Sequence, residues 1–253
     1  MELGLKGRKA IVTGATRGIG RAVADTFADE GCDVGICARG GKGVASTVDA
    51  LRAKGVVATG GVLNARDGAA YRDWLISACE ELGGLDIFVA SLSAGGGMDS
   101  ERNWHRNFEI DLMSAVRGVE AVLPWLEKSG VASVVVVGTM AASETFVAPM
   151  AYNSVKAALV TWSKQLAETL APKGIRVNCV SPGPTIFEGS NWEMVRVARS
   201  RTYASVIRQH PQRRMATAEE IARSIAFIAS PAASWVVGSH LLVDGGFSKR
   251  VQF

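Results

Sequence analysis

Along the chain, short apolar runs alternate with longer stretches of helical periodicity. KAIVTG is followed by apolar positions at helical spacing over 19–30. CDVGICA precedes a helix near 43–54, and VVATGGVL one over 68–82. LDIFVAS leads into a long helical segment over about 103–126, and SVVVVGT into a helix carrying Tyr152 and Lys156. IRVNCVSPG leads into an arginine-rich stretch and a helix near 218–230, before HLLVDGG closes the pattern. Runs that are apolar at successive positions are strands covered on both faces, and helix-length connections between such strands make them parallel. The pattern predicts one α/β domain over 1–253, with seven buried strands in a parallel sheet, helices on both faces and right-handed crossovers. No repeat, linker or shift in composition marks a second domain.

Composition agrees with that picture and excludes others. The chain has 253 residues and is 48% hydrophobic, enough for one large core. Its longest apolar run, VASVVVVGTMAA, falls short of the roughly 18 residues of a membrane span, and the N-terminal MELGLKGRKAIV lacks the apolar stretch of a secretory signal. Cys32, Cys37, Cys79 and Cys179 show neither Cys-x-x-Cys nor Cys/His ligand spacing, and His105, His210 and His240 are scattered. Neither a metal site nor a disulfide framework is expected. The cysteines read as small core fillers, and the chain as a protein of the reducing cytoplasm.

The formal net charge is +4, and its location matters more than its size. Between Phe187 and Met215 stand Arg196, Arg199, Arg201, Arg208, Arg213 and Arg214 against Glu188 and Glu193, so this stretch alone carries an excess equal to that of the whole chain. It lacks the aromatic platform or helix-turn-helix pattern of a nucleic-acid module, and no nucleic-acid partner is expected.

The turn TGATRGIG, from Thr13 to Gly20, lies between the first strand and the first helix. Gly14 ends the strand, Thr16 and Arg17 fill the turn, and Gly18, Ile19 and Gly20 open the helix. Small residues here let a backbone approach a pyrophosphate, and the helix N-terminus offers free N–H groups to it. A dinucleotide site is favoured over a purely structural turn. An acid at the end of the second strand would select NAD through the ribose 2′-hydroxyl, but the chain reads ICARGG, with Ala38 at that place and Arg39 after it. Guanidinium groups at Arg17 and Arg39 favour a 2′-phosphate, so NADP(H) is expected over NAD(H). The competing reading leaves both arginines solvated.

Tyr152 and Lys156 share a helix face at i, i+4, and on spacing alone two unrelated polar residues explain them best. The other motifs change that balance. TGATRGIG, YNSVK, IRVNCVSPG and LLVDGG occur in the order and spacing of the short-chain dehydrogenase/reductase family. The chain resembles that family over nearly its whole length, and within it the 3-oxoacyl-carrier-protein reductase-like members. The resemblance implies a Rossmann-type doubly wound sheet of seven parallel strands and hydride transfer between nicotinamide and a carbonyl or alcohol. It makes Tyr152 the general acid/base. Lys156 would hold the nicotinamide ribose and lower the phenol pKa from about 10 toward neutrality. It puts Pro182 and Gly183 beside the nicotinamide, with Thr185 or the backbone at Ile186 at the carboxamide. It also implies a homo-oligomer, commonly a tetramer, with the Tyr152 helix and the last strand in the contacts.

Three positions depart from the family pattern. The catalytic serine, 13 residues before the tyrosine, becomes Thr139, whose hydroxyl makes the same hydrogen bonds while its methyl narrows the site; Ser143 is an alternative hydroxyl at the wrong spacing. The asparagine that orders a water chain to the lysine becomes Asp111, for which a local structural role and a proton-relay role are evenly matched. The asparagines after the fourth strand become ASLSAGG, where Ser91 or Ser93 recovers some hydrogen bonding but the asparagine tie to the sheet is lost. Asn64 stands near the place of the acid that meets adenine, followed by Asp67. Residues 187–215 fall where the family carries a substrate lid. Phe187, Trp192, Met194 and Tyr203 among arginines there suit an amphipathic anionic substrate such as a carrier-bound acyl thioester, with one or two of the arginines reaching it. The alternative to an oxidoreductase is a cofactor-binding sensor or oligomer partner that has lost turnover.

Overall fold

A computed structural model describes residues 2–96, 99–146 and 148–251. It contains a seven-stranded sheet in the order β3-β2-β1-β4-β5-β6-β7, and every pairing is parallel. The strands are β1 (Lys9–Thr13), β2 (Asp33–Ala38), β3 (Ala58–Val62), β4 (Ile87–Ala90), β5 (Ser133–Val137), β6 (Arg176–Pro182) and β7 (His240–Val243). The helices are α1 (Gly18–Asp29), α2 (Gly41–Arg52), α3 (Gly68–Leu82), α4 (Glu101–Asn107), α5 (Ser114–Leu126), α6 (Met150–Leu170), α7 (Asn191–Ala198), α8 (Ser200–Gln209) and α9 (Ala218–Ala229). This is the doubly wound fold the alternation predicts.

Period-2 alternation assigns the strand side chains to two cores. Ala10 and Val12 of β1 join Val135 and Val137 of β5 on the face covered by α1, α2 and α9. Ile11, Val134 and Val136 turn to the face covered by α3, α5 and α6. Both faces are apolar because both are buried. The sheet reverses direction of growth between β1 and β4, and the crevice beyond the carboxyl ends of those strands is where such sheets bind ligands.

Two elements differ from the periodicity. The expected helix over 103–126 is not continuous: between α4 and α5, Phe108–Met113 form a π-helix. Widened turns of this kind are frequent at functional sites, and this one carries Asp111. The arginine-rich stretch resolves into α7 and α8, which pack Trp192, Tyr203 and Val206 with Met140, Phe146 and Phe247 in a small third apolar cluster.

The base of the sheet is tied by a buried cation. The Arg176 guanidinium donates to the carbonyls of Ile228 (2.8 Å) and Ala229 (3.0 Å) at the C-terminus of α9, which have no helical partner, and to that of Ser230 (2.9 Å), which also accepts from Ala233 N, at the negative end of the helix dipole. Arg176→Ala is expected to lower the unfolding free energy by about 2–4 kcal/mol, because it orphans several buried acceptors at once. Urea denaturation measures this, and a loss under about 0.5 kcal/mol, the range of ordinary surface substitutions, would contradict it.

Candidate active site

The crevice at the sheet's reversal is a cleft of about 1040 Å³. Its first wall is the glycine turn. Gly14 has φ +71° and its N–H donates to Cys37 O of β2 at 2.9 Å. A Cβ on Gly20 would stand 2.6 Å from Gly14 O, so the helix can approach the strand this closely only through glycine. Arg17 sits at the N-cap of α1 and makes no side-chain cap bond, leaving the first-turn N–H groups for a ligand anion.

Gly14, Thr16, Arg17, Ile19 and Gly20 all line the cleft. Gly18 does not, and a Cβ there would meet the Phe187 ring at 2.5 Å. Ala38, Arg39 and Asn64 line the far end, and Ser91 and Ser93 the middle. Pro182, Gly183 and Thr185 line the end near β6. Asp67 is used locally, capping α3 by accepting from Ala70 N at 3.1 Å. After β4 the tie comes instead from Thr13: its hydroxyl donates to Val89 O at 3.3 Å and accepts from Ser91 N at 3.0 Å. A side chain at the end of β1 thus bridges to β4 where an asparagine is missing.

Tyr152 and Lys156 lie on α6 and both face the cleft. Thr139, just past β5, caps the short turn after it, accepting from Ala141 N at 3.3 Å. The Thr139 and Ser93 hydroxyls lie close enough to the Tyr152 phenol to favour its ionised form. Ser143, the alternative hydroxyl, is not among the lining residues. Lys156 Nζ donates to Val137 O at 2.9 Å and faces Asp111 Oδ1 at 3.3 Å, an ion-pair contact rather than an aligned hydrogen bond. The other Asp111 oxygen accepts from Ala94 N at 3.0 Å. The carboxylate side chain is fully buried and stands behind the lysine, outside the cleft.

The electrostatics correct one expectation. The Tyr152 phenol is raised above its ordinary pKa, not lowered toward neutrality. Burial is the largest cause, since it penalises the phenolate. Lys156 opposes it, Asp111 adds to it, and the Thr139 and Ser93 hydroxyls pull it down. The lysine acts in the expected direction, but desolvation outweighs it in the protein alone.

Some residues at the site carried no sequence signal. Arg106 on α4 lines the cleft and donates to Ala94 O, yet in a helix over 103–126 it reads as one more solvated arginine. Of the lid arginines, Arg199 lines the cleft, while Arg196 pairs with Glu193 and Arg214 with Glu220. No Asp or Glu is among the lining residues described, whereas Arg17, Arg39, Arg106, Lys156 and Arg199 are. A glycine cradle, an uncapped helix N-terminus and charged lining residues that are all cationic fit a nicotinamide dinucleotide.

Comparison with known proteins agrees. The family model for Enoyl-(Acyl carrier protein) reductase matches residues 14–248. Isoepoxydon dehydrogenase from Penicillium expansum is 34% identical, with 100% of this chain and 99% of that protein covered. The 3-oxoacyl-[acyl-carrier-protein] reductase of Salmonella typhimurium is 33% identical, over 96% of this chain and 98% of its own. Among solved structures, L-sorbose reductase from Gluconobacter frateurii, complexed with NADPH and L-sorbose, superposes with a TM-score of 0.92 at 29% identity, covering 99% of this chain and 100% of that one.

Since Asp111 raises the Tyr152 phenol, Asp111→Asn is expected to move its ionisation to lower pH. The difference in phenolate absorbance between the single variant and Asp111→Asn/Tyr152→Phe, followed across pH, reads the midpoint. A midpoint unchanged or moved upward would contradict the charge assignment.

Proposed function

The chain belongs to the short-chain dehydrogenase/reductase family, and from that premise we propose that it is an NADP(H)-dependent oxidoreductase in which Tyr152 exchanges the substrate proton. The family comprises nicotinamide-dependent oxidoreductases acting on carbonyl and alcohol groups. What supports the finer reading is one gathering: a phenol, two hydroxyls and an ammonium at one end of a cleft whose other end holds the glycine turn and two guanidiniums.

Bound NADPH would supply the hydride. Tyr152 gives its phenolic proton to the substrate oxygen in reduction and takes one from the alcohol in oxidation. Thr139 donates a hydrogen bond to the same oxygen, and its methyl narrows the space beside it. Lys156 would hold the nicotinamide ribose hydroxyls with donor capacity not used by Val137, and its charge favours the phenolate when that forms. Asp111 fixes Lys156 from behind and offers a carboxylate acceptor for a proton leaving that side of the site. Pro182, Gly183 and Thr185 would bound the nicotinamide end, and Ser91, Ser93 and Asn64 the length of the cofactor.

Arg17 and Arg39 account for the preference for NADP(H). Ala38 provides no carboxylate for a ribose 2′-hydroxyl, and two guanidiniums suit a phosphate. Arg17 donates to Gly189 O at 3.1 Å in the lid, so it exchanges that partner for the cofactor. Residues 187–215 act as the substrate lid, with Phe187, Trp192 and Met194 facing the cleft. They suit a small-molecule ketone with an apolar portion or a 3-oxoacyl thioester. No helix among the described residues is long and apolar enough to cross a membrane. We take the protein to be a cytoplasmic homo-oligomer, a tetramer by analogy with its family, with neither nucleic acid nor membrane as partner.

Tyr152→Phe is expected to cut kcat/KM for NADPH-dependent ketone reduction by roughly 10²–10⁴-fold while NADPH still binds. NADPH binding with no turnover on any ketone or 3-oxoacyl thioester would favour the sensor reading instead. Arg17→Ala and Arg39→Ala should each weaken NADPH by about tenfold or more and NADH far less, measured by fluorescence titration. Comparable affinity of the unaltered protein for the two cofactors would contradict the preference.

A further inference from the structure

Arg106 stands apart from the other cations of the cleft. It projects from α4, is half-buried, and donates to Ala94 O at 2.5 Å. Among the described residues no carboxylate lies within ion-pair distance of it, and unlike Arg17, Arg39 and Arg199, the other arginines lining the cleft, it is only partly exposed to solvent. A half-buried guanidinium held only by one neutral carbonyl has given up solvation without gaining a counter-charge. Such a group has several N–H donors left, in a planar fork that matches a carboxylate or phosphate.

Its place relative to the reacting groups follows from a chain of contacts. Ala94, whose carbonyl it holds, donates its own N–H to Asp111, which faces Lys156. The preceding residue, Ser93, acts on the Tyr152 phenol. Arg106 therefore lies on the Tyr152 side of the cleft. Arg39 lies past the end of β2, on the other side of β1 from β4, so the charges of a dinucleotide's adenosine end are met there and not by Arg106. Arg199 reaches the cleft mouth from the lid.

We propose that Arg106 is a specificity residue that binds an oxyanion on the substrate, so that the preferred substrates are small carbonyl compounds bearing a carboxylate or phosphate near the reacting carbon. This rests on the oxidoreductase reading for turnover, but not for binding. Arg106 does not take part in the proton transfer. It places the carbonyl by holding the far group, through charge-assisted hydrogen bonds whose loss would cost about tenfold to a hundredfold.

The test uses matched pairs differing in charge: acetoacetate against methyl acetoacetate for a carboxylate, and dihydroxyacetone phosphate against dihydroxyacetone for a phosphate. With NADPH, the charged member of at least one pair should have the higher kcat/KM, and the pair that shows it identifies the group. Arg106→Gln should lower that charged-to-neutral ratio by about tenfold to a hundredfold, mainly through KM, with Arg106→Lys restoring part of it. Isothermal titration of the same four compounds into the protein–NADP⁺ complex reads the discrimination without turnover. Arg106-dependent binding of a charged probe with no catalysis would leave this inference standing while the oxidoreductase reading failed. Neutral members bound and turned over as well as charged ones would overturn it. So would an Arg106→Gln loss equal on both members of each pair, which is what a purely structural grip on the Ala94 loop would give.

Discussion

The contact between Lys156 and Asp111 is the constraint on which the site depends. Both side chains are buried, the aspartate completely, and each is anchored again by backbone: the ammonium by Val137 O at the end of β5, the carboxylate by Ala94 N after β4. One ion pair thus joins β5, the loop beyond β4, the π-helical turn and α6. Buried pairs gain little net stability against an apolar replacement, but breaking one leaves an uncompensated charge inside the protein at a cost of about 3–5 kcal/mol. The four elements are therefore held in one arrangement, and the phenol one turn before Lys156 inherits its position from them.

The same pair explains why the phenol is not acidic in the protein alone. The cation that favours phenolate has its own counter-ion directly behind it, and burial penalises any new charge in that volume. A carboxylate in place of a neutral amide therefore trades some acidity of the phenol for a more firmly held lysine. Around this neutralised centre the cleft lining carries only cations. Arg17, Arg39, Arg106 and Arg199 surround an ion pair that is already matched. The field in the cleft favours anionic ligands at both ends.

Apolar packing complements that charge. Phe187 stands on Gly18 of the cofactor turn, and Trp192 and Phe146 pack beside Phe247 from the C-terminal tail. The lid is seated by its apolar residues, while its arginines are mostly matched by glutamates or left in solvent. This is why a stretch carrying the chain's whole net charge sends only Arg199 to the cleft.

How much of this was legible in the amino-acid order depends on the range of the interaction. Seven strands, their two-sided burial and the helices between them follow from periodicity, because period 2 and period 3.6 are imposed by local backbone geometry and by burial. Gly14 and Gly20, Ala38 and Arg39, and the Tyr152–Lys156 pair were likewise visible, since each lies within one strand–turn–helix unit or one helical turn. The pattern did not reveal the π-helix at Phe108–Met113, the Thr13 bridge to β4, the net rise of the Tyr152 phenol or the placement of Arg106 in the cleft. Each of these arises between segments 12 to 78 residues apart. Sequence alone determined which residue types were available to the cleft. Only folding decided which of their charges face one another across low-dielectric space, because that depends on distances and burial set by the packing of separate elements.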